Sequence, residues 1–205
     1  ASFVVILLVP CAYADNRFLK MLEGSSKAPA VSGLQISTMK GGKAQDHFAF
    51  GVAQAGVHGV VPLRADHRIR VASVSKIFVA MAVLALVEAQ HFSLDDDASN
   101  LLGWKFRNPE FPTVPITVRS LLSHTSSVRD GNRYFIAAGE GELRDFFDPG
   151  KRLWDDGGHW ASGLQQHPGK YFTYANLNFG VLAEIIERIS NQRFDLFMID
   201  RIFDP

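Results

Sequence analysis

The stretch VASVSKIFVA, residues Val71–Ala80, places a lysine at the start of an unbroken apolar run. Lys76 follows Ser73 by three residues, and every residue from Ile77 to Val87 is apolar. Lysine side chains are almost never fully buried unless they are paired. The position of Lys76 therefore needs a chemical explanation as well as a structural one.

The apolar run itself predicts a helix. Ile77–Val87 contains neither glycine nor proline, and its residues are apolar on every face of a helical period. A helix of that kind is expected to be buried on most sides. The run is too short to span a bilayer, so we expect a core helix and no transmembrane span.

A serine and a lysine three residues apart on a helix lie on one face, about 5–6 Å apart at Cβ. The apolar surroundings disfavour the charged ammonium form of Lys76, and an uncharged amine can accept the proton of the Ser73 hydroxyl. The helix N-terminus also favours negative charge that develops there. The alternative is that Ser73 is a plain N-cap while Lys76 extends to solvent.

The spacing alone does not decide between these interpretations, because it occurs twice. Ser37 and Lys40 have the same separation inside a predicted strand, where positions three apart point to opposite faces. Context must therefore identify the functional pair.

A second polar group lies at the entrance of another predicted helix. Tyr174 and Asn176 come just before Leu177–Ile189, which is amphipathic. Beside a cationic lysine, Tyr174 could lose its proton more readily and act as a general base or acid. Asn176 could hydrogen-bond the lysine and a substrate carbonyl. The alternative is that Tyr174 is a core residue beside Tyr171 and Phe172, while Asn176 only caps the helix.

The remaining pattern predicts an α/β (α+β) fold in which strands precede a mostly helical region. Val31–Met39 and His47–Ala53 alternate as strands around a turn at Gly41-Gly42. Gly131–His167 is predicted to form long irregular surface segments that short helices interrupt. Three further helices are expected, over Ser93–Leu102, Thr117–Ser123 and Phe194–Phe203. Two strands make a poor sheet. We therefore expect a chain truncated at its C-terminus, with an incomplete sheet.

The N-terminal residues are interpreted as the remnant of a secretory signal peptide, residues 1–14. An apolar block, Phe3–Val9, precedes Ala12-Tyr13-Ala14, a small-x-small cleavage pattern. Alternatives are a buried N-terminal strand or helix, or a lipid anchor on Cys11. The domain would then comprise residues 15–205 of a secreted or periplasmic protein.

Composition excludes several classes of function. The formal net charge is zero and no basic run occurs, so nothing favours nucleic acid as a partner. Seven histidines are scattered without a metal-binding spacing, so no metal ion or other cofactor is expected. No Gly-x-Ser-x-Gly motif is present. His124 is an alternative base for a serine triad, but a set of serine, lysine and tyrosine already supplies the nucleophile and the base without it.

Three segments in order resemble the serine β-lactamase and penicillin-recognising family, most closely its class C branch with related D-amino-acid peptidases and esterases. They are VASVSK, LLSHTSSV (Leu121–Val128) and PGKYFTYANLNFGVLAEIIERIS. The resemblance implies a β-lactamase/transpeptidase-like fold, an antiparallel sheet flanked by helices. It implies Ser73 as the acylated nucleophile, Lys76 as its proton acceptor, Tyr174 as the base, and Asn176 as a substrate-binding residue.

Two departures accompany the resemblance. Ser127 stands where the family usually has glycine. The family's later Lys/His-x-Gly motif, which supplies an oxyanion-hole amide, is expected beyond Pro205, since His167-Pro168-Gly169 precedes Tyr174. The resemblance implies a serine hydrolase acting on an amide or ester carbonyl of a small molecule or peptide: a β-lactam, a D-amino-acid peptide or a small ester. The alternative is a non-catalytic relative or fragment that binds cell-wall peptides.

Overall fold

Among the described residues, the strands lie in the N-terminal part of the chain and most helices follow them. The computed structural model describes residues 3–10, 20, 31–56 and 59–204. The chain divides into two units, Ala1–Ser73 and Val74–Pro205. The described residues of the first unit form four strands: β1 Phe3–Pro10, β2 Val31–Lys40, β3 Lys43–Gly56 and β4 Gly59–Pro62.

The four strands form one sheet in the order β1-β2-β3-β4. β2 pairs antiparallel with β3, and β3 pairs antiparallel with β4. Gly41 and Gly42 join β2 to β3 with φ angles of 58° and 75°. Two central residues with positive φ make the tight hairpin turn that glycine favours, so the predicted hairpin is confirmed. Leu34 and Ile36 alternate on β2 and are buried within this unit.

β1 lies in the segment that is interpreted as the remnant of a signal peptide. Phe3–Pro10 pairs parallel with β2, in agreement with the alternative of an N-terminal strand. Its apolar and β-branched residues favour an extended strand, and the edge of β2 offers unpaired backbone groups. Cys11 and the pattern at Ala12–Ala14 lie outside the described residues. Removal of the segment after Ala14 stays a prediction.

The second unit is helical, as predicted. Its helices are α1 Ser75–Glu88, α2 Ala98–Leu102, α3 Val118–Leu122, α4 Asn176–Ser190 and α5 Phe194–Met198, which continues into a π-helical turn at Ile199–Phe203. The segment predicted to be irregular contains three short 3-10 turns, at Leu143–Phe146, Asp155–Gly157 and Leu164–Gln166. Among the described residues, no helix is long and apolar enough to cross a membrane.

The core of this unit lies where α1, α2 and α3 contact α4. Val83 of α1, Leu121 of α3 and Ile185 of α4 are fully buried in it. Burying a side chain of this size contributes about 1.5–3 kcal/mol. This packing fixes the start of α1 beside the start of α4.

α1 is less buried than its sequence predicts. Ala82, Val83 and Leu86 are buried, but Ile77 is 60% exposed and Leu84 is 49% exposed. Within the described part of the second unit, only one face of this apolar helix is packed. The prediction of burial on most sides is therefore wrong for this structure.

α2 begins later than predicted because a side chain determines its start. The Asp97 carboxylate accepts the backbone N–H of Ser99 at 2.9 Å, so it caps a helix that begins at Ala98. The preceding residues, from Ser93, form turns.

Candidate active site

Lys76 lies in the first turn of α1 and is partly buried. Its Nζ donates a hydrogen bond to Asn176 Oδ1 at 2.7 Å. Asn176 is one hundred residues away in sequence and is the first residue of α4. The packing of α1 against α4 therefore brings these two predicted site residues into direct contact.

The Lys76 amine also faces aromatic rings. Its Nζ lies 4.9 Å from the centroid of the Tyr174 ring and 5.6 Å from that of Phe179. A cation over an aromatic face at such distances is attracted by the ring, by roughly 0.5–1 kcal/mol at exposed sites and more when desolvated. Tyr174 is 45% exposed, so the alternative that it is a core residue is wrong.

Asn176 bridges two charged side chains. Its Nδ2 donates to Asp130 Oδ2 at 2.8 Å while its Oδ1 accepts from Lys76. The residue at the N-cap position of α4 is Ala175, which has no side chain able to cap. Asp130 supplies the missing acceptor, because its Oδ1 accepts the backbone N–H of Leu177 at 3.0 Å. The alternative in which Asn176 only caps its own helix is therefore wrong.

Ser73 lies in the 3-10 turn Ala72–Val74, which leads directly into α1, and it is exposed. The residue before it, Ala72, has a φ of 45°, in the left-handed region that residues other than glycine rarely adopt. Strained backbone of this kind is concentrated at functional sites. The approach of the Ser73 hydroxyl to the Lys76 amine stays a prediction from the helical spacing.

His124 contacts the N-terminal end of α4 and the ring of Tyr174. Its Nδ1 accepts the backbone N–H of Ala175 at 3.3 Å and lies 3.1 Å from Asn178 Nδ2. Its ring lies 4.5 Å from the Tyr174 ring, centroid to centroid, at an interplanar angle of 33°. Because both neighbours of Nδ1 are donors, Nδ1 carries the lone pair and the proton of the neutral imidazole is on Nε2.

Electrostatics keep this imidazole neutral. Burial lowers the pKa of His124 below its ordinary value of 6.5, and the positive charge of Lys76 lowers it further. The Asp130 carboxylate acts in the opposite direction, but the net pKa remains lowered. Only a neutral His124 can accept a hydrogen bond from the Ala175 N–H. The lowered pKa and the hydrogen bond therefore both indicate the neutral form.

The segment after His124 is part of the same buried scaffold. Ser126 Oγ donates to Asn178 Oδ1 at 2.6 Å and accepts the backbone N–H of Val128 at 3.1 Å. Ser126, Ser127 and Asn178 are all buried. The serines of this segment are thus held in structural hydrogen bonds.

The predicted site residues Lys76, Tyr174 and Asn176 lie together in the structure. The prediction does not include Asp130 or Asn178. Asp130 is 46 residues from Asn176, and Asn178 is 54 residues from His124. Neither pair has a sequence spacing that indicates contact. A signal was available at Ala175, because a helix N-terminus without a capping side chain needs an acceptor from elsewhere. Among the described residues, no group of three or more His, Cys, Asp or Glu side chains could hold a metal ion.

Comparison with known proteins identifies the family of this chain. The family profile described as Beta-lactamase matches residues 18–205. The chain belongs to the beta-lactamase family. This confirms the family resemblance seen in the three ordered motifs. The match includes both Ser73 and the cluster of Lys76, Tyr174 and Asn176.

Individual relatives in this family are distant. A penicillin-binding protein of Bacillus subtilis strain 168 is 29% identical over 174 residues, which are 83% of this chain and 35% of that protein. Penicillin-binding protein 4 of Amycolatopsis lactamdurans is 26% identical over 146 residues, covering 71% of this chain and 36% of that protein. The chain thus spans about a third of the length of these curated relatives.

Solved structures confirm the fold class. The octameric penicillin-binding protein homologue from Pyrococcus abyssi aligns with a TM-score of 0.68 at 24% identity, over 92% of this chain and 42% of its own. The D-amino acid amidase from Ochrobactrum anthropi SV3 aligns with a TM-score of 0.70 at 21% identity, over 93% and 50% respectively. The fold of this beta-lactamase family member is therefore the α/β β-lactamase/transpeptidase fold.

Proposed function

We propose that the protein is a serine hydrolase that forms a covalent acyl-enzyme on Ser73. The observation that carries this proposal is the position of the Lys76 amine, held at 2.7 Å by Asn176 and facing the Tyr174 ring. Membership of the beta-lactamase family supports it. In this proposal Lys76 is the proton acceptor, Tyr174 the general acid and base, and Asn176 a group that positions the substrate.

The proposed reaction has two steps. The Ser73 oxygen attacks the carbonyl carbon of an amide or ester while its proton passes to the uncharged Lys76 amine. The bond to the leaving group then breaks, and the leaving nitrogen or oxygen receives a proton through Lys76 and Tyr174. In the second step Tyr174, as its phenolate, takes a proton from a water molecule while the water oxygen attacks the carbonyl carbon of the ester on Ser73. The bond between that carbon and the Ser73 oxygen then breaks, Tyr174 returns the proton to the Ser73 oxygen, and the acid is released.

The substrate class is an acyl compound with an amide or ester bond: a β-lactam, a D-amino-acid peptide or a small ester. The names of two relatives and two structural neighbours, penicillin-binding proteins and a D-amino acid amidase, support the β-lactam and the D-amino-acid peptide. We also propose that the protein acts outside the cytoplasm, because its N-terminal segment has the pattern of a signal peptide.

Covalent labelling tests the proposal. A fluorescent penicillin or a fluorophosphonate is incubated with the full-length protein, and the rate of labelling is measured. The wild type should be labelled, Ser73→Ala should not be, and Lys76→Ala should be labelled at least about 100-fold more slowly, within the range that general-base catalysis contributes. Folded wild-type protein that takes up neither probe would instead favour the non-catalytic protein that binds cell-wall peptides.

A further inference from the structure

Asp130 contacts both the backbone and a side chain at the entrance of α4. One carboxylate oxygen accepts the Leu177 N–H at 3.0 Å, and the other accepts Asn176 Nδ2 at 2.8 Å. The first contact caps the helix. The second has no role in capping, because Nδ2 belongs to a side chain whose other end contacts Lys76.

The polarity of these contacts has only one consistent solution. An ionised carboxylate can only accept hydrogen bonds, whereas an asparagine amide has a donor end and an acceptor end. The amide of Asn176 must therefore direct Nδ2 to Asp130, and this leaves Oδ1 for Lys76. A protonated lysine amine has only donors, so it requires that acceptor.

We propose that Asp130 is a positioning residue that fixes the orientation of the Asn176 amide and so keeps an acceptor against the Lys76 amine. This inference rests on the proposed function, in which that amine takes the proton of Ser73. An amine that donates to Asn176 Oδ1 has its lone pair, when uncharged, directed away from Asn176. With the amide reversed, Nδ2 would repel the ammonium form and compete for the lone pair of the uncharged form.

Replacement of Asp130 by its isosteric amide tests this assignment. In Asp130→Asn the new amide oxygen is needed by the Leu177 N–H, whose direction α4 fixes. The new amide nitrogen then faces Asn176 and can be satisfied only by Oδ1, so the Asn176 amide reverses. The rate of labelling by a fluorophosphonate should fall about 10- to 100-fold, the loss expected for one hydrogen bond to a charged group.

A matched variant separates this effect from a loss of stability. Asp97 also caps a helix through a backbone N–H, and it contacts neither Lys76 nor Asn176 in the described structure. Asp97→Asn should lower the free energy of unfolding but leave the labelling rate at the wild-type value. Equal labelling rates for Asp130→Asn and the wild type would overturn the proposal.

A crystal structure provides a measurement that does not depend on activity. In Asp130→Asn, crystallised near pH 6, the contact of 2.7 Å between Lys76 Nζ and the Asn176 amide should be lost, since two donors face each other. The double variant Asp130→Asn/Asn176→Asp should restore it, because a carboxylate accepts at both ends. An unchanged contact in the single variant refutes the assignment. Failure of the wild type to be labelled refutes the proposed function, and the crystal structures then decide the role of Asp130 by themselves.

Discussion

The amine of Lys76 combines a strong directional contact with a non-directional one. The hydrogen bond to Asn176 fixes one N–H direction, and the Tyr174 and Phe179 rings face the charge without fixing its orientation. This combination holds the nitrogen in place. Each group can therefore be tested by a substitution that removes one property and keeps the others.

Tyr174→Phe removes the phenol and retains the ring beside Lys76. The fold should be unchanged, because Tyr174 is 45% exposed and its ring contacts with Lys76 and His124 remain. Turnover of an ester substrate should fall about 10²- to 10⁴-fold, the usual contribution of general acid–base catalysis. Steady-state kinetics with a chromogenic ester provide the measurement. A kcat within about twofold of the wild-type value would remove Tyr174 from the mechanism.

The backbone of Ser127 is strained, and a hydrogen bond of its side chain partly offsets the cost of that strain. It has a φ of 67° and is buried, and its Oγ accepts from Asn108 Nδ2 at 3.2 Å. Glycine adopts this conformation freely, whereas alanine keeps the strain and loses the hydrogen bond. Ser127→Gly should therefore be more stable than Ser127→Ala by about 1–2 kcal/mol. Urea denaturation measures the difference, and equal stability would contradict the strain.

At this scale the sequence indicated the residues whose chemistry is distinctive. A hydroxyl, an amine, a phenol and an amide at helix entrances predict four site residues: Ser73, Lys76, Tyr174 and Asn176. Asp130 could not be chosen in the same way. Its carboxylate matters only because α4 begins with Ala175, and the loop that carries Asp130 returns to that point.

Helices α1 and α4 are the elements that the sequence predicted best. The expected ranges Ile77–Val87 and Leu177–Ile189 correspond to Ser75–Glu88 and Asn176–Ser190. Long runs of helix-forming residues determine the local conformation, so the sequence predicts that both helices exist. The start of α2 and the strand β4 were missed, because a capping carboxylate and pairing with β3 determine them.

His124 links the segment after α3 to the N-terminal end of α4, and its contribution to the free energy of unfolding should depend on pH. The native pKa of His124 is lowered below the ordinary value of 6.5, so below that value the unfolded chain binds more protons than the native chain. The contribution of His124 to stability is fully present above about pH 6.5 and is lost as the pH falls toward the native pKa.

His124→Asn tests this dependence with little change in geometry. Asparagine tolerates the φ of 56° at this position and keeps an acceptor for the Ala175 N–H, but it does not titrate. Between pH 7.5 and 5.5, the free energy of unfolding should decrease less in His124→Asn than in the wild type. Denaturation by urea at several pH values supplies the data. Identical slopes would show that another group titrates.

At the scale of the whole molecule, three ordered motifs predict the family and the fold class. They do not predict whether the N-terminal segment is a signal peptide or a strand of the sheet. The same apolar residues suit a signal peptide and a strand, and the structure pairs Phe3–Pro10 with β2. Local sequence cannot separate these outcomes, because export depends on a peptidase and pairing depends on an available strand edge.

The proposed secretion predicts where the mature protein begins. The protein exported by its own cells should begin at Asp15, because the pattern Ala12-Tyr13-Ala14 is typical of a cleavage site. Edman sequencing of the purified protein provides the measurement. An exported protein that retains Phe3–Pro10 would show that β1 belongs to the mature fold.

The central claim, that Ser73 carries an acyl group during turnover, is tested most directly by mass spectrometry of protein trapped with a penicillin. Cleavage after Arg70 and Lys76 releases the peptide Val71–Lys76, which contains both Ser73 and Ser75. The account predicts that this peptide gains the mass of the penicillin and that fragmentation places the added mass on Ser73. Added mass on Ser75, or on a peptide elsewhere in the chain, would contradict it.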